Sequence, residues 1–313
     1  MSRYLLFMLR RLGQGVATLA ALSLITFCLA ALAPAGPVEV MLGQHADPEQ
    51  VRSLKKEFGL DQPLPVQYGR WVAGFLTGDL GKSYRDRQPV AQTLAVRYPV
   101  TATLAGMAGL YALLVGFPLG LAAALRPGSW VDRAATTAAL AGVSVPAFVM
   151  LPLLVMLFSL RLKWFPVFYN GEWWHLILPA IALGTRPAAL LARMTRASFL
   201  EALSQDYVRT ARAKGLDWFR TVTWHAGKNA LLPVLTVLGV SVGYMLGGSF
   251  VVEYIFGIPG IGGMSVKAIS ERDYPMIQAV VLLGAALFLV VNLVVDLLYG
   301  LLDPRLRAAA AQS

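Results

Sequence analysis

The sequence predicts an all-α polytopic membrane protein with six transmembrane helices and a small helical segment between the first two. Three observations lead there. Of the 313 residues, 57% are hydrophobic and only 14% are charged, against about 25% charged in an average soluble domain. Six apolar runs, at 12–33, 100–125, 134–160, 176–195, 231–252 and 277–302, each approach or exceed the roughly 20 residues needed to cross hydrocarbon. None alternates with period two. Lipid offers backbone groups no partners, so these runs are helices rather than strands of a barrel.

The cations set the expected orientation. A net charge of +10 suggests nucleic acid at first sight, but the Lys and Arg residues sit between apolar runs, as they do in membrane proteins. Arg3, Arg10 and Arg11 precede the first run. Arg126 and Arg133 follow the second. Arg193, Arg196, Arg209, Arg212, Lys214, Arg220 and Lys228 follow the fourth, and Arg305 and Arg307 follow the sixth. These segments alternate onto one side, expected to be the cytoplasm, with both termini there and the protein multi-pass in the cell inner membrane. Arg10-Arg11 followed by an apolar run ending in Ala31-Leu32-Ala33 resembles a signal peptide. The run is too long and Pro34 follows it, so it reads as a retained first span. The single cysteine, Cys28, lies within it and reads as a small apolar side chain.

Four segments follow: 1–33, the N-terminus and first span; 34–99, an extracytoplasmic segment; 100–303, a five-helix core with a loop at 196–230; and 304–313, a tail. In the second, Asp47-Pro48 is a helix start. That helix runs through Leu54 and Phe58 to Gly59. A second amphipathic helix ends near Gly78, with Trp71, Phe75 and Leu76 expected on one side.

The stretch DYVRTARAKGLDWFRTVTWHAGKNALLP, 206–233, interrupts the apolar pattern. Residues 207–214 contain no helix breaker, Gly215 suits the left-handed end of a helix, and Asp217 suits the cap of a second short helix running toward Asn229. Two helices meeting at Gly215 present Arg209 and Arg212 on one face and Leu216, Trp218 and Phe219 at the corner. Residue chemistry leaves two readings open: a knob that docks a soluble partner, or an interfacial helix on anionic lipid. Pro233 is expected in the first turn of the fifth span, where no amide donor is needed.

Other motifs point away from catalysis. GIPGIGG at 257–263 follows no strand and lacks Gly-Lys-Ser/Thr, so it is not a phosphate loop but a tight outer loop. His45, His175 and His225 show no metal-ligand spacing, and no nucleophile–base pair is readable. Arg186, beside Pro187 in the fourth run, has two readings: snorkelling or pairing with a neighbouring helix, the commoner role, or facing a solute route and attracting a carboxylate. Asn292 and Asp296, one turn apart in the last run, read first as interhelical hydrogen bonding and second as a gate.

The 206–233 stretch resembles the coupling loop of binding-protein-dependent ABC importer permeases, whose pattern is Glu-Ala-Ala, three residues, Gly, and a later hydrophobic-Pro pair. Arg209-Thr210-Ala211 stands where Glu-Ala-Ala is expected, Gly215 matches, and Leu232-Pro233 closes the motif. Arg for Glu and the longer Gly-to-Pro gap resemble the dipeptide, oligopeptide and nickel branch, whose string Tyr-Val-Arg-Thr-Ala-Arg-Ala-Lys-Gly-Leu is matched at every position from Tyr207 through Val208, Arg209, Thr210, Ala211, Arg212, Ala213, Lys214 and Gly215 to Leu216. FGLDQPL (58–64), GDLGKS (78–83), RYPVTATL (97–104), RMTRASFLEAL (193–203), EYIFGIPGIGG (253–263), Arg272-Asp273-Tyr274-Pro275 and Asp303-Pro304-Arg305 also resemble that branch, in its order.

The resemblance implies a type I ABC importer permease fold and half of a pathway for di- or oligopeptides, with nickel, glutathione or another peptide-like solute as alternatives. It implies as partners a second homologous permease, two ATPases and an extracytoplasmic binding protein, with ATP and Mg²⁺ held by the ATPases and no cofactor in this chain. Residues 207–214 would seat in an ATPase cleft, with Arg209, Arg212 and Lys214 toward its acidic rim. The rival from another class is an ion-driven carrier, which would need ionisable groups deep in the second, third and fifth spans; those spans have none.

Overall fold

The computed structural model describes residues 2–32 and 47–302 together with Val38 and Leu42. The expected tail with Arg305 and Arg307, the Asp303-Pro304-Arg305 string and His45 lie outside the described residues. Helices dominate. They are α1 (Ser2–Ala31), α2 (Pro48–Glu57), α3 (Leu64–Thr77), α4 (Val90–Leu125), α5 (Trp130–Ser144), α6 (Ala147–Leu154), α7 (Ile177–Ser204), α8 (Asp206–Ala213), α9 (Trp218–Arg220), α10 (Gly227–Leu246), α11 (Phe250–Phe256), α12 (Ile261–Glu271) and α13 (Tyr274–Leu302). Among the described residues, five helical rods are long and apolar enough to cross a membrane, or six when a bent pair is counted as one span.

That bent pair is the third apolar run. Sequence alone suggests one helix over 134–160. Instead α5 and α6 meet at 104°. Pro146 is the cause: its ring drives the preceding residue out of the helical region, and Val145 is extended at φ −90°, ψ 114°. Beyond α6 the chain continues as a π-helical turn, Val155–Arg161.

Close backbone approach holds the centre together. α4 and α7 pack along Gly116, Gly120 and Gly184. A Cβ on Gly116 or Gly120 would lie 2.3 Å from the carbonyl oxygen of Ala188 or Ala192, and one on Gly184 would lie 2.6 Å from that of Ala108. Lipid supplies no hydrophobic drive between helices, so small residues that let backbones touch are what join spans. α7 is the most enclosed rod, with 61% of its apolar window buried, against 6–39% for the others.

The segment before α4 folds as its caps dictate. The Asp47 carboxylate accepts from the Glu49 amide at 3.0 Å, and Gly59 and Gly78 take positive φ at the ends of α2 and α3. Trp71 of α3 lies against Tyr68 and Phe75, and Tyr68 and Trp71 lie against Phe27 of α1, with the Tyr68 hydroxyl 2.9 Å from Ser23 Oγ. Leu76 does not share that face. It is exposed, because one helical residue beyond Phe75 turns it about 100° away.

The fifth span starts earlier than its apolar run. α9, a π-helical turn at Thr221–Ala226 and α10 form one rod over Trp218–Leu246, and α7 runs on to Ser204. Most of 196–230 is therefore helix. Pro233 lies inside the rod, not in a first turn. The rod stops at Gly247-Gly248, the latter at φ +111°. The expected tight loop at 257–263 is the corner between α11 and α12, two short helices packed back onto α4 and α7.

Candidate functional site

The elbow is built by three local signals. Gln205 is extended and lets α8 turn off the end of α7. Gly215, at φ +81°, reverses the chain, with its amide donating to the Arg212 carbonyl at 2.9 Å and that of Leu216 to Ala211 at 3.2 Å. The Asp217 carboxylate caps the next rod by accepting from the Phe219 amide at 3.0 Å.

α8 has two faces. Val208 and Ala211 are 2% and 5% exposed, and Val208 packs with Ala124, Phe199, Ala202, Val222, Ala226 and Ala230. Tyr207, Arg209, Thr210, Arg212, Ala213, Lys214 and Gly215 are exposed, and Leu216 is half-buried. Two side-chain braces cross the corner. Asn229 Nδ2 donates to the Tyr207 hydroxyl at 3.0 Å, and the Arg212 guanidinium sits 5.1 Å above the Trp218 ring. Phe219 and Trp224, 72% and 77% exposed, flank it. Arg209 lies 3.6 Å from Asp206; both are exposed, so that pair contributes little. The residues singled out from sequence thus divide into anchors (Val208, Ala211), braces (Tyr207, Arg212) and a presented surface (Arg209, Thr210, Ala213, Lys214).

Behind the elbow, Arg196 of α7 grips Asp132 of α5 with two nitrogens, Nε to Oδ1 at 2.5 Å and Nη2 to Oδ2 at 2.8 Å. Asp132 also accepts from the Gly128 amide at 2.9 Å, while Ser129 caps α5. A planar fork on a carboxylate fixes orientation as well as distance. Sequence reading missed Asp132, although the Ser129-x-x-Asp132 spacing marks a helix start.

At the opposite end, two polar anchors join segments distant in sequence. Glu253 is fully buried and accepts from Thr101 Oγ1 at 3.0 Å and from the Gly262 and Gly263 amides at 2.7 and 3.1 Å. Asp273 accepts from Ser83 Oγ at 2.5 Å and the Tyr84 amide at 3.0 Å, so the GDLGKS and Arg272-Asp273-Tyr274-Pro275 strings touch. Burial, and secondarily the Asp273 charge, pushes the Tyr84 phenol up to about 12.

The remaining candidates are scattered. Arg186 projects from α7, exposed, with no ion pair or hydrogen bond among the described residues. Among the described residues Asn292 makes no bond across helices; its amide donates to the Phe288 carbonyl one turn back at 2.9 Å. Asp296 does reach a neighbour, lying 3.1 Å from Arg11 Nε of α1. No three His, Cys, Asp or Glu side chains among the described residues are grouped to hold a metal.

Two family descriptions match the chain: "Binding-prot-dependent transport system membrane comp, N-term" over residues 4–105 and "Binding-protein-dependent transport system inner membrane component" over 116–308. The glutathione transport system permease protein GsiC of Salmonella paratyphi A is 41% identical over 301 residues, 96% of this chain and 98% of the relative. The protein of the same name in Escherichia coli K12 is 40% identical over the same shares. The fold is similar to a chain of the MetNI methionine ABC transporter solved in inward-facing conformations, with a TM-score of 0.57, 16% identity, and coverage of 68% of this chain and 97% of that one. With the elbow, the enclosed central helix and the family strings in place, the chain belongs to the binding-protein-dependent transport system inner membrane components: it is a multi-pass ABC importer permease of the dipeptide, oligopeptide and nickel branch, and ATP hydrolysis lies in its partner subunits.

Proposed function

We propose that this chain forms half of the route of an importer for short peptides and peptide-like solutes, glutathione foremost, and that its elbow receives the motion of an ATPase. The names of the 40–41% identical relatives support glutathione; nickel, which the branch also carries, has no such support. The partners are a second, homologous but different permease, two ATPases and an extracytoplasmic binding protein. ATP and Mg²⁺ belong to the ATPases. Both termini and the elbow are cytoplasmic, as the distribution of Lys and Arg favours.

The observation that carries the coupling role is the two-faced α8. A helix lying on lipid would turn its apolar face to the bilayer, whereas Val208 and Ala211 are packed inside this chain and the polar face is bare. Pushed from outside, such a helix moves α7 and the rod at 218–246 with it. Arg209 and Lys214 are the residues for an acidic rim on the ATPase, because Arg212 is also used against Trp218. Asp296 braces α1 against α13, and Asn292 is secondary to it.

The test is copurification from cells expressing all subunits. Arg209→Glu with Lys214→Glu is expected to strip about nine-tenths of the ATPase from the tagged permease, the loss of two charge pairs. ATPase retention at the wild-type level would remove the proposal.

A further inference from the structure

We infer that Arg186 and Arg193 form a two-step cationic track on α7 that binds the carboxylates of the solute as it crosses. This inference rests on the import reading above and names the solute chemistry the route selects. α7 is the most enclosed span, yet one stripe of it is open. Arg186, Leu190, Arg193 and Ala197 are all exposed, and their spacing of four, three and four residues sets them along one helix face. Ala182, one turn earlier on that face, is buried in the cluster with Leu151, Met245 and Phe256. The stripe is therefore closed at one end and opens at Arg186.

Position makes the charges informative. Arg186 follows Ile177, the first residue of α7, by nine residues, so it lies roughly 13 Å along a span whose hydrocarbon layer is about 30 Å thick. A cation held there against lipid is costly, and intramembrane ionisable groups face water-filled routes or partner groups. Neither Arg186 nor Arg193 has an ion pair or hydrogen bond among the described residues. The contrast is Arg196, one turn from Arg193 but rotated off the stripe, which is held by Asp132. Two uncommitted guanidiniums about 10 Å apart along the axis suit successive contacts with a carboxylate: the first at mid-membrane, the second closer to the elbow. Each presents a planar fork matched to that group. A solute with two carboxylates, as in glutathione, can hold one while releasing the other, which keeps binding weak enough to move on.

The experiment uses the whole importer, with partner permease, ATPases and binding protein, in proteoliposomes with glutathione as the probe. Arg186→Gln and Arg193→Gln are each expected to lower ATP-driven uptake about tenfold at unchanged complex yield, and Arg186→Lys and Arg193→Lys to stay within about threefold of wild type. Leu190→Asp, an acid set between the two cations, is expected to fall about fivefold below Leu190→Asn, which has similar volume and no charge. Unchanged uptake in the Gln variants overturns the inference. So does a loss in the Lys variants equal to that in the Gln variants, or a complex yield that falls in step with uptake, which makes the arginines subunit contacts. A wild-type importer that accumulates no glutathione overturns the cargo reading, and this inference with it.

Discussion

The carboxylate of Glu253 accepts a 3.0 Å hydrogen bond from the hydroxyl of Thr101, 152 residues away in the chain. The same carboxylate takes the first free amides of α12, at Gly262 and Gly263, where a helix N-terminus favours negative charge. A Cβ on Gly260 or Gly262 would stand 2.3 or 2.9 Å from Glu253 Oε2, so these two glycines make room for a buried acid. Glu253→Ala leaves four donors without this acceptor, the Thr101 hydroxyl and the Ser249, Gly262 and Gly263 amides, at about 1–3 kcal/mol each. Thermal unfolding of the detergent-solubilised protein is expected to show a clear drop in Tm for Glu253→Ala and a smaller one for Glu253→Gln, which keeps one acceptor oxygen. Equal Tm for all three proteins would show that the anchor contributes nothing.

Gly120 tests the centre of the bundle. Its missing Cβ leaves room for the Ala192 carbonyl, so Gly120→Val must push α4 and α7 apart. Overpacking of this kind typically costs about 1–3 kcal/mol. The amount of folded protein in membranes, read by fluorescence-detected size exclusion, is expected to fall several-fold, while Gly106→Val, at a position with open space beside it, stays near wild type. Similar yields for both would contradict the close-packing description.

The spans, the caps at Asp47, Gly59, Gly78 and Gly215, and the elbow were legible because each rests on a signal within a few residues: apolar length, a capping side chain, a glycine where φ must be positive. What escaped depends on distant partners or on a single residue overruling a strong pattern. Pro146 breaks an apolar run whose composition says continuous helix. The α11–α12 corner looks like a loop until Thr101 is seen beside Glu253. The bond between Ser83 and Asp273 spans 190 residues, beyond any local rule. Apolar composition groups Leu76 with Trp71 and Phe75, whereas helical geometry turns it to another face. For the candidate site, the 206–233 stretch is legible as an elbow, but which of its residues are buried anchors and which are exposed depends on Phe199, Val222 and Ala226 packing behind Val208.

The Arg196–Asp132 fork ties the first turn of α5 to the last third of α7, the helix that leads into the elbow. Asp132→Asn removes the charge and keeps the shape. The expected outcome is an assembled importer that hydrolyses ATP but moves less solute per ATP, measured as the ratio of uptake to phosphate release in proteoliposomes. An unaltered ratio would reduce the fork to a local brace.

Gly215 sets the angle of the elbow at φ +81°. A Cβ there has open space around it, so any penalty is conformational, about 1–2 kcal/mol for a β-branched residue forced left-handed. Gly215→Val is expected to leave the permease folded and to weaken ATPase copurification several-fold, whereas Gly215→Asn, which tolerates this region better, recovers most of it. Loss of folded permease in both variants would instead make Gly215 a folding residue.

The most direct measurement is a cross-link. With Cys28 replaced by Ser, a cysteine at Arg209 on the bare face of α8 and, separately, one at Ala211 on its packed face are treated with a short bis-maleimide in membranes containing all subunits. The expected result is a product of permease plus ATPase mass from the position-209 variant and none from the position-211 variant. No such product at 209, with the ATPases present and the thiol shown to be reactive, would mean that the elbow does not meet a motor subunit.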